Sequence, residues 1–156
     1  MLNQSIDVAV VGGGMVGAAA ALGLAQNGFQ VAVIEQQAPA AFDATSQPDV
    51  RISAISSASV GLLKSLGVWD AIRSMRSHAY RQLETWEWES AHVSFKAQEL
   101  GLPELGYMVE NQVLQFALWQ ALEAHPNVTL VCPAHIDRMH GQAGKWTLHF
   151  ADERTL

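Results

Sequence analysis

Three glycines and one acidic residue stand at a spacing that suits the binding of a dinucleotide. Gly12, Gly14 and Gly17 have G-x-G-x-x-G spacing, and Glu35 follows 18 residues after the last of them. Glycines at these positions allow a tight turn, a close approach of backbone to a pyrophosphate and close packing of a helix on a strand. Glu35 is placed to accept hydrogen bonds from ribose hydroxyls. Together these residues predict a turn that binds an adenine dinucleotide.

The elements that must hold such a turn surround these residues in the required order. The apolar run Ile6 to Val11 leads into the glycines, a helix of small residues follows, and a second apolar run, Val31 to Ile34, ends at Glu35. Twelve glycines in 156 residues make chance spacings common, and the alternative is a merely structural glycine-rich turn. The strand, helix and strand context favours dinucleotide binding over that alternative.

Hydrophobic periodicity predicts further helices and strands along the chain. Residues 36–49 have no period and indicate a surface loop. The predicted helices are Ser53 to Leu66, Asp70 to Met75 and Val113 to Ala124. The predicted strands are Leu83 to Glu89 and His92 to Lys96 as an antiparallel hairpin, then Val128 to Val131, and then Ile136 to Met139 and Trp146 to Phe150 around turn residues Gly141 and Gly144. This order predicts an α/β fold with a mainly parallel sheet and an antiparallel hairpin excursion.

The tryptophans of the predicted hairpin alternate with acidic residues. Trp86 and Trp88 share one face at period two, so we expect them to lie in a core rather than to stack on a cofactor. Glu87 and Glu89 then point to the opposite face, where we expect them to be solvated rather than to act as a general acid and base pair.

Composition excludes several classes of function. A net charge of −6 leaves no basic surface for nucleic acid. Cys132 is the single cysteine, which excludes an internal disulfide and a cysteine-based zinc site and indicates a reducing, cytoplasmic setting. The six histidines lack the spacing of a metal site, and no nucleophile and base pair is found. We therefore predict no metal and no catalytic side chain, and any chemistry is carried by a cofactor.

Beyond the glycines, the chain resembles flavoproteins of the Rossmann type. The segment DVRISAISSASVGLLKSLGVWD, residues 49–70, resembles the Arg-led helix that follows the second strand in class A flavoprotein aromatic hydroxylases. GYMVENQVLQFALWQALEAHP, residues 106–126, resembles more specifically the ubiquinone-biosynthesis hydroxylases of that class. The resemblance extends along nearly the whole chain, with LETWEWESAHV its most distinctive stretch, and weakens after residue 133.

The resemblance implies a set of FAD-binding residues. Arg51 would lie beside the pyrophosphate, and Asn111 would hydrogen-bond the cofactor or nearby backbone. The alternatives are an ordinary surface arginine for Arg51 and a helix N-cap for Asn111. The remaining implied FAD contacts are Gly12, Gly14, Gly17 and Glu35.

The resemblance also implies a Rossmann-type FAD-binding fold and a division into domains. Residues 1–76 and 108–156 correspond to an incomplete FAD-binding domain, and residues 77–107 to the start of a substrate-domain β-sheet. Relatives carry an Asp-Gly motif and a Gly-Asp motif that are expected beyond residue 156. The chain is therefore expected to be the N-terminal, truncated portion of a longer enzyme.

The implied activity is the hydroxylation of a polyprenylated benzoquinol in ubiquinone biosynthesis, with FAD as cofactor, NAD(P)H as co-substrate and O₂ as oxidant. The implied location is cytoplasmic and peripheral at the inner membrane, in association with the membrane or with a complex of ubiquinone-biosynthesis proteins. Two alternatives stay open: a catalytically silent, truncated nucleotide-binding fragment, and an NAD-dependent oxidoreductase domain.

Overall fold

The computed structural model describes residues 6–88 and 90–156, which form both helices and strands. The strands are β1 (Val8–Val11), β2 (Val31–Ile34), β3 (Ile52–Ser56), β4 (His78–Tyr80), β5 (Gln82–Trp86), β6 (His92–Lys96), β7 (Gly106–Glu110), β8 (Val128–Val131), β9 (Ile136–Gln142) and β10 (Lys145–Phe150). The helices are α1 (Met15–Gln26), α2 (Ser57–Ser65), α3 (Trp69–Met75) and α4 (Asn111–Ala124), with a 3₁₀ helix at Ala97–Leu100.

The chain divides into two compact units, of which the first comprises Met1–Ala40 and Leu118–Leu156. Its sheet is parallel, with the strand order β1, β2, β8. Every residue of the central strand β2 is buried, as expected for a strand with neighbours on both edges and a helix on one face. Helix α1 buries Ala18, Ala21, Leu22 and Ala25. The βαβ unit predicted from the glycine spacing is therefore present.

An antiparallel hairpin, β9 and β10, completes the first unit. Leu148 and Phe150 of β10 join a buried cluster with Ala32, Ile34 and Val131 of the sheet. The prediction that Gly141 lies in the turn is wrong, because Gly141 belongs to β9 and pairs with Trp146 of β10. The chain turns instead at Ala143 and Gly144, whose φ angles are 53° and 77°, the left-handed values that a tight hairpin turn requires.

The second unit, Ala41–Ala117, contains an antiparallel sheet with the strand order β3, β7, β4. The predicted helix from Ser53 to Leu66 is wrong in its first turn. Residues 52–56 form β3 and pair with β7, and α2 begins at Ser57 after the Ser56 hydroxyl accepts a hydrogen bond from the Ser59 N–H. Arg51 accordingly leads a strand and not a helix. The prediction missed β7 and β4.

The predicted hairpin is confirmed as β5 and β6. Its tryptophans are not in a core, since Trp86 is 68% exposed and Trp88 is 64% exposed. All residues of β5 are exposed, and this strand ends at Trp86, so Trp88 lies beyond it and the predicted strand from Leu83 to Glu89 is too long. Glu89 lies outside the described residues. The expected division between an FAD-binding domain and a substrate-domain sheet at residues 77–107 stays a prediction.

Candidate dinucleotide site

The glycine turn lies between β1 and α1, and two of its glycines are required by the fold. Gly12 directly follows β1 with a φ of +101°, a left-handed conformation that side chains disfavour. A Cβ on Gly17 would overlap the carbonyl oxygen of Gly12. The first glycine thus makes the turn, and the third lets α1 pack against it.

Gly14 has a different environment. Its φ of −65° and ψ of 174° are extended values that any residue adopts, and a Cβ there would meet no atom within 4 Å. Nothing in the described fold requires glycine at this position. The open space beside Gly14 therefore fits the close approach of a ligand to the backbone.

Helix α1 begins directly beside this space. Gly14 is its N-cap and supplies no side-chain hydrogen bond, and the first turn has no acidic residue. The first N–H groups of a helix have no partner within it, and they carry the positive end of the helix dipole. A 12-residue helix with this start suits a pyrophosphate.

The Glu35 carboxylate faces the turn from the end of β2. It accepts hydrogen bonds from the backbone N–H groups of Gly13 (2.7 Å), Gln36 (2.6 Å) and Gln37 (3.2 Å). Burial alone would raise the pKa of this carboxyl, but the N–H donors, led by Gly13, outweigh burial and lower the pKa below its ordinary value. Glu35 is therefore an ionised acceptor at neutral pH, and a carboxylate can accept further donors such as ribose hydroxyls.

The structure brings Arg51 and Asn111 together in the second unit. The Asn111 N–H donates to the Arg51 carbonyl at 2.9 Å, and the Asn111 amide oxygen accepts from the Ser53 hydroxyl at 2.5 Å. Arg51 itself is exposed. Asn111 is the first residue of α4. Their contacts with a cofactor stay predictions.

A buried acidic residue that the sequence analysis missed lies next to Asn111. Glu110 ends β7 and is 3% exposed. Its carboxylate accepts from the Asp49 N–H at 2.8 Å, from Gln112 Nε2 at 3.0 Å and from Arg76 Nη1 at 3.0 Å. Burial would raise the pKa of Glu110, but these donors and the Arg76 charge lower it.

Arg76 extends this network to the loop that leads to β3. Its Nη2 donates to the Ser46 carbonyl at 2.9 Å, and its guanidinium lies 5.3 Å from the centre of the Phe42 ring. Arg76 and Glu110 together therefore hold the loop that precedes Arg51. An acid at the end of the apolar run GYMVE was the available sequence signal, but its partner lies 34 residues away.

A second missed residue contacts the glycine turn itself. Trp119 of α4 is buried, and its indole N–H donates to the Gly13 carbonyl at 2.6 Å. The apolar residues Leu114, Ala117, Leu118, Ala121 and Leu122 of α4 have the spacing of one helix face, and all of them are buried except Ala121, which is half-buried. Trp119 lies beside that face, and spacing alone did not indicate its contact with Gly13.

Two features are absent from the part of the chain that the structure describes. No group of three or more histidine, cysteine or acidic side chains there could hold a metal ion. In the same part of the chain, no helix has the length and apolar character needed to cross a membrane.

Comparisons with known proteins agree with this geometry. The model of the FAD binding domain family matches residues 5–139. The chain is 69% identical over 140 residues to 3-demethoxyubiquinol 3-hydroxylase of Escherichia coli K12, which covers 90% of this chain and 36% of that protein. It is 33% identical over 154 residues to ubiquinone hydroxylase UbiL of Rhodospirillum rubrum, covering 99% of this chain and 35% of that protein. The chain thus spans about a third of the length of these relatives, and the resemblance to ubiquinone-biosynthesis hydroxylases is confirmed.

The same fold occurs in solved structures of monooxygenases. p-Nitrophenol 4-monooxygenase PnpA of Pseudomonas putida superposes with a TM-score of 0.70 at 21% identity, over 94% of this chain and 36% of that chain. The expected α/β, Rossmann-type FAD-binding fold is therefore confirmed.

Proposed function

The chain belongs to the FAD binding domain family, and we propose that the protein containing it hydroxylates a polyprenylated benzoquinol in ubiquinone biosynthesis, with FAD, NAD(P)H and O₂. The observation that carries this proposal is the 69% identity to 3-demethoxyubiquinol 3-hydroxylase over 90% of the chain. The open space at Gly14, beside the start of α1 and the Glu35 carboxylate, supports it, because that arrangement fits the pyrophosphate and ribose of FAD.

The residues of this chain bind and orient the cofactor in this proposal. The N–H groups at Gly14 and the first turn of α1 bind the pyrophosphate, and Glu35 accepts from ribose hydroxyls. Arg51 lies beside the pyrophosphate, and Asn111 hydrogen-bonds the cofactor or nearby backbone. FAD, when bound, supplies the redox chemistry with NAD(P)H and O₂. No side chain of this chain is assigned a proton transfer.

The substrate sets the proposed location. A polyprenyl tail is apolar and partitions into lipid, since each buried CH₂ contributes roughly 0.8 kcal/mol. We propose a cytoplasmic protein that is peripheral at the inner membrane and associates there with the membrane or with a complex of ubiquinone-biosynthesis proteins. The names of the relatives, which refer to ubiquinol and ubiquinone, support such a substrate.

The test uses the purified full-length protein and its Gly14→Val variant. We expect the wild type to carry the visible absorbance of flavin, to oxidise NAD(P)H in response to a short-tailed benzoquinol, and to release hydroxylated product that mass spectrometry detects. Gly14→Val should abolish flavin retention, because the branched side chain fills the space beside the turn. Protein that folds, binds NAD and has no flavin would contradict the proposal and favour an NAD-dependent oxidoreductase. Unchanged flavin content in folded Gly14→Val would contradict the site.

A further inference from the structure

Gly13 lies between Gly12 and Gly14 of the motif, and this position needs glycine for a different reason from Gly12. Its backbone is not in the left-handed region, so its conformation alone would accept a side chain. A Cβ at Gly13, however, would lie 2.7 Å from Cζ2 and 3.2 Å from Cε2 of Trp119, and 3.2 Å from Cβ of Glu35. The Trp119 ring occupies the space that a side chain of residue 13 would need.

The same two residues share a buried hydrogen bond. The Trp119 indole N–H donates to the Gly13 carbonyl at 2.6 Å, and Trp119 is 3% exposed. A buried indole N–H needs an acceptor, and a buried carbonyl outside a strand ladder needs a donor. The Trp119 indole N–H and the Gly13 carbonyl therefore satisfy each other's need for a hydrogen-bond partner.

This hydrogen bond also sets the direction of the next N–H group. The Gly13 carbonyl and the Gly14 N–H belong to one planar peptide unit, in which a trans bond points the two groups in opposite directions. Because the carbonyl points to Trp119, the Gly14 N–H points away from the indole. On the other side of Gly13, its own N–H is held by the Glu35 carboxylate at 2.7 Å. The peptide groups on both sides of Gly13 are thus fixed.

We propose that Trp119 is a positioning residue of the FAD site, which holds the Gly13 peptide so that the Gly14 N–H faces the pyrophosphate. This inference rests on the proposed placement of FAD at the glycine turn. Trp119 acts through the backbone and touches no cofactor atom in this role. The Trp119 ring also explains why residue 13 is glycine, although this position can be any residue in the G-x-G-x-x-G motif.

The first experiment removes the hydrogen bond and keeps most of the ring. In the full-length protein, Trp119→Phe should raise the dissociation constant of FAD about tenfold, the equivalent of 1.4 kcal/mol, because the Gly13 carbonyl loses its donor. The constant is measured by titrating folded apoprotein with FAD. Trp69→Phe is the matched control, since Trp69 is also 3% exposed and packs edge-on against Tyr107 in the second unit. We expect this control to lower thermal stability and to leave FAD affinity unchanged.

The second experiment tests the steric contact by rescue. Gly13→Ala should weaken FAD binding by about tenfold or more, because its Cβ displaces the indole. Trp119→Leu removes that indole, so the double variant should bind FAD no more weakly than Trp119→Leu alone. Residues in contact show this non-additivity, whereas independent residues multiply their effects. A merely structural role in the core would not produce the rescue.

Gly14→Val separates failure of this inference from failure of the proposed site. If Gly14→Val abolishes FAD binding while Trp119→Phe and Gly13→Ala bind FAD like the wild type, the role of Trp119 is refuted and the site stands. If Gly14→Val also binds FAD normally, the site itself is wrong. Multiplicative effects in the double variant would likewise overturn the coupling of Gly13 and Trp119.

Discussion

At the scale of single residues, the candidate site consists mainly of backbone groups whose directions are set by their neighbours. Gly12 is required by its φ of +101° and Gly17 by its contact with the Gly12 carbonyl, whereas Gly14 borders open space. The acid that faces this turn, Glu35, already accepts three backbone N–H groups. It therefore shapes the turn as well as offering a charged acceptor to a ribose.

Glu35→Gln should weaken FAD binding about tenfold or more, because hydrogen bonds to a charged group contribute roughly 1.5–3 kcal/mol. The amide would also present a donor in place of one oxygen that now accepts from Gly13 or from Gln36 and Gln37. Calorimetric titration of the apoprotein with FAD measures the loss. Glu123→Gln, an exposed change on α4, is the control and should leave affinity unchanged. Equal FAD affinities for Glu35→Gln and wild type would contradict the role of Glu35 as an acceptor for the ribose of FAD.

At the scale of elements, the β1, α1 and β2 unit was predictable because its signals are local. Apolar runs, glycines and the acid lie within about 30 residues of each other, the length of one βαβ unit. The strand from Ile52 to Ser56 was not predictable in this way, since its mixture of isoleucine, serine and alanine fits both the period of a helix and the period of a strand. This segment forms a strand because it pairs with Gly106–Glu110, a partner that lies some 50 residues downstream.

Contacts between distant residues account for the rest of what the sequence did not reveal. The Trp119 indole meets Gly13 across 106 residues, and Arg76 meets Glu110 across 34. No spacing rule relates such positions, because the fold alone brings them together. The exposure of Trp86 and Trp88 follows from the same limit: period two assigns a shared face but does not say what covers it.

The Arg76 and Glu110 pair links β7 to the loop before β3, and removing its charge should destabilise the second unit. Glu110→Gln should lower the free energy of unfolding by about 1–3 kcal/mol, because it weakens three hydrogen bonds to a buried carboxylate. Denaturant titration measures this change. Glu99→Gln is the matched control: its partner Lys96 lies 3.9 Å away and both side chains are exposed, so the change should cost about 0–1 kcal/mol.

The same carboxyl gives the second unit a defined dependence on pH. The folded-state pKa of Glu110 lies below its ordinary value of 4.5, so its contribution to stability is fully present above that value. The contribution falls as pH drops from 4.5 through the folded-state pKa. Wild type should therefore lose more stability than Glu110→Gln over this acid range. Parallel losses in the two proteins would contradict the role assigned to the ion pair.

At the scale of the whole molecule, each of the two units has its own buried residues and its own network around a carboxylate. Glu35 and Gly13 lie in the first unit, and Glu110 and Arg76 in the second. The measurable consequence of the site for the whole molecule is the coupling of FAD binding to folding.

FAD should stabilise the folded protein, because a ligand that binds the native state and not the unfolded chain shifts the equilibrium towards the native state. The gain is about 2.7 kcal/mol when free FAD is roughly 100 times its dissociation constant. Thermal unfolding of the full-length apoprotein, followed at increasing FAD, should show a melting temperature that rises with concentration. NAD at the same concentrations should produce a much smaller shift, and Gly14→Val should abolish the shift with FAD, because its side chain fills the space beside the turn. An equal shift with NAD, or an undiminished shift in Gly14→Val, would contradict a specific FAD site at this turn.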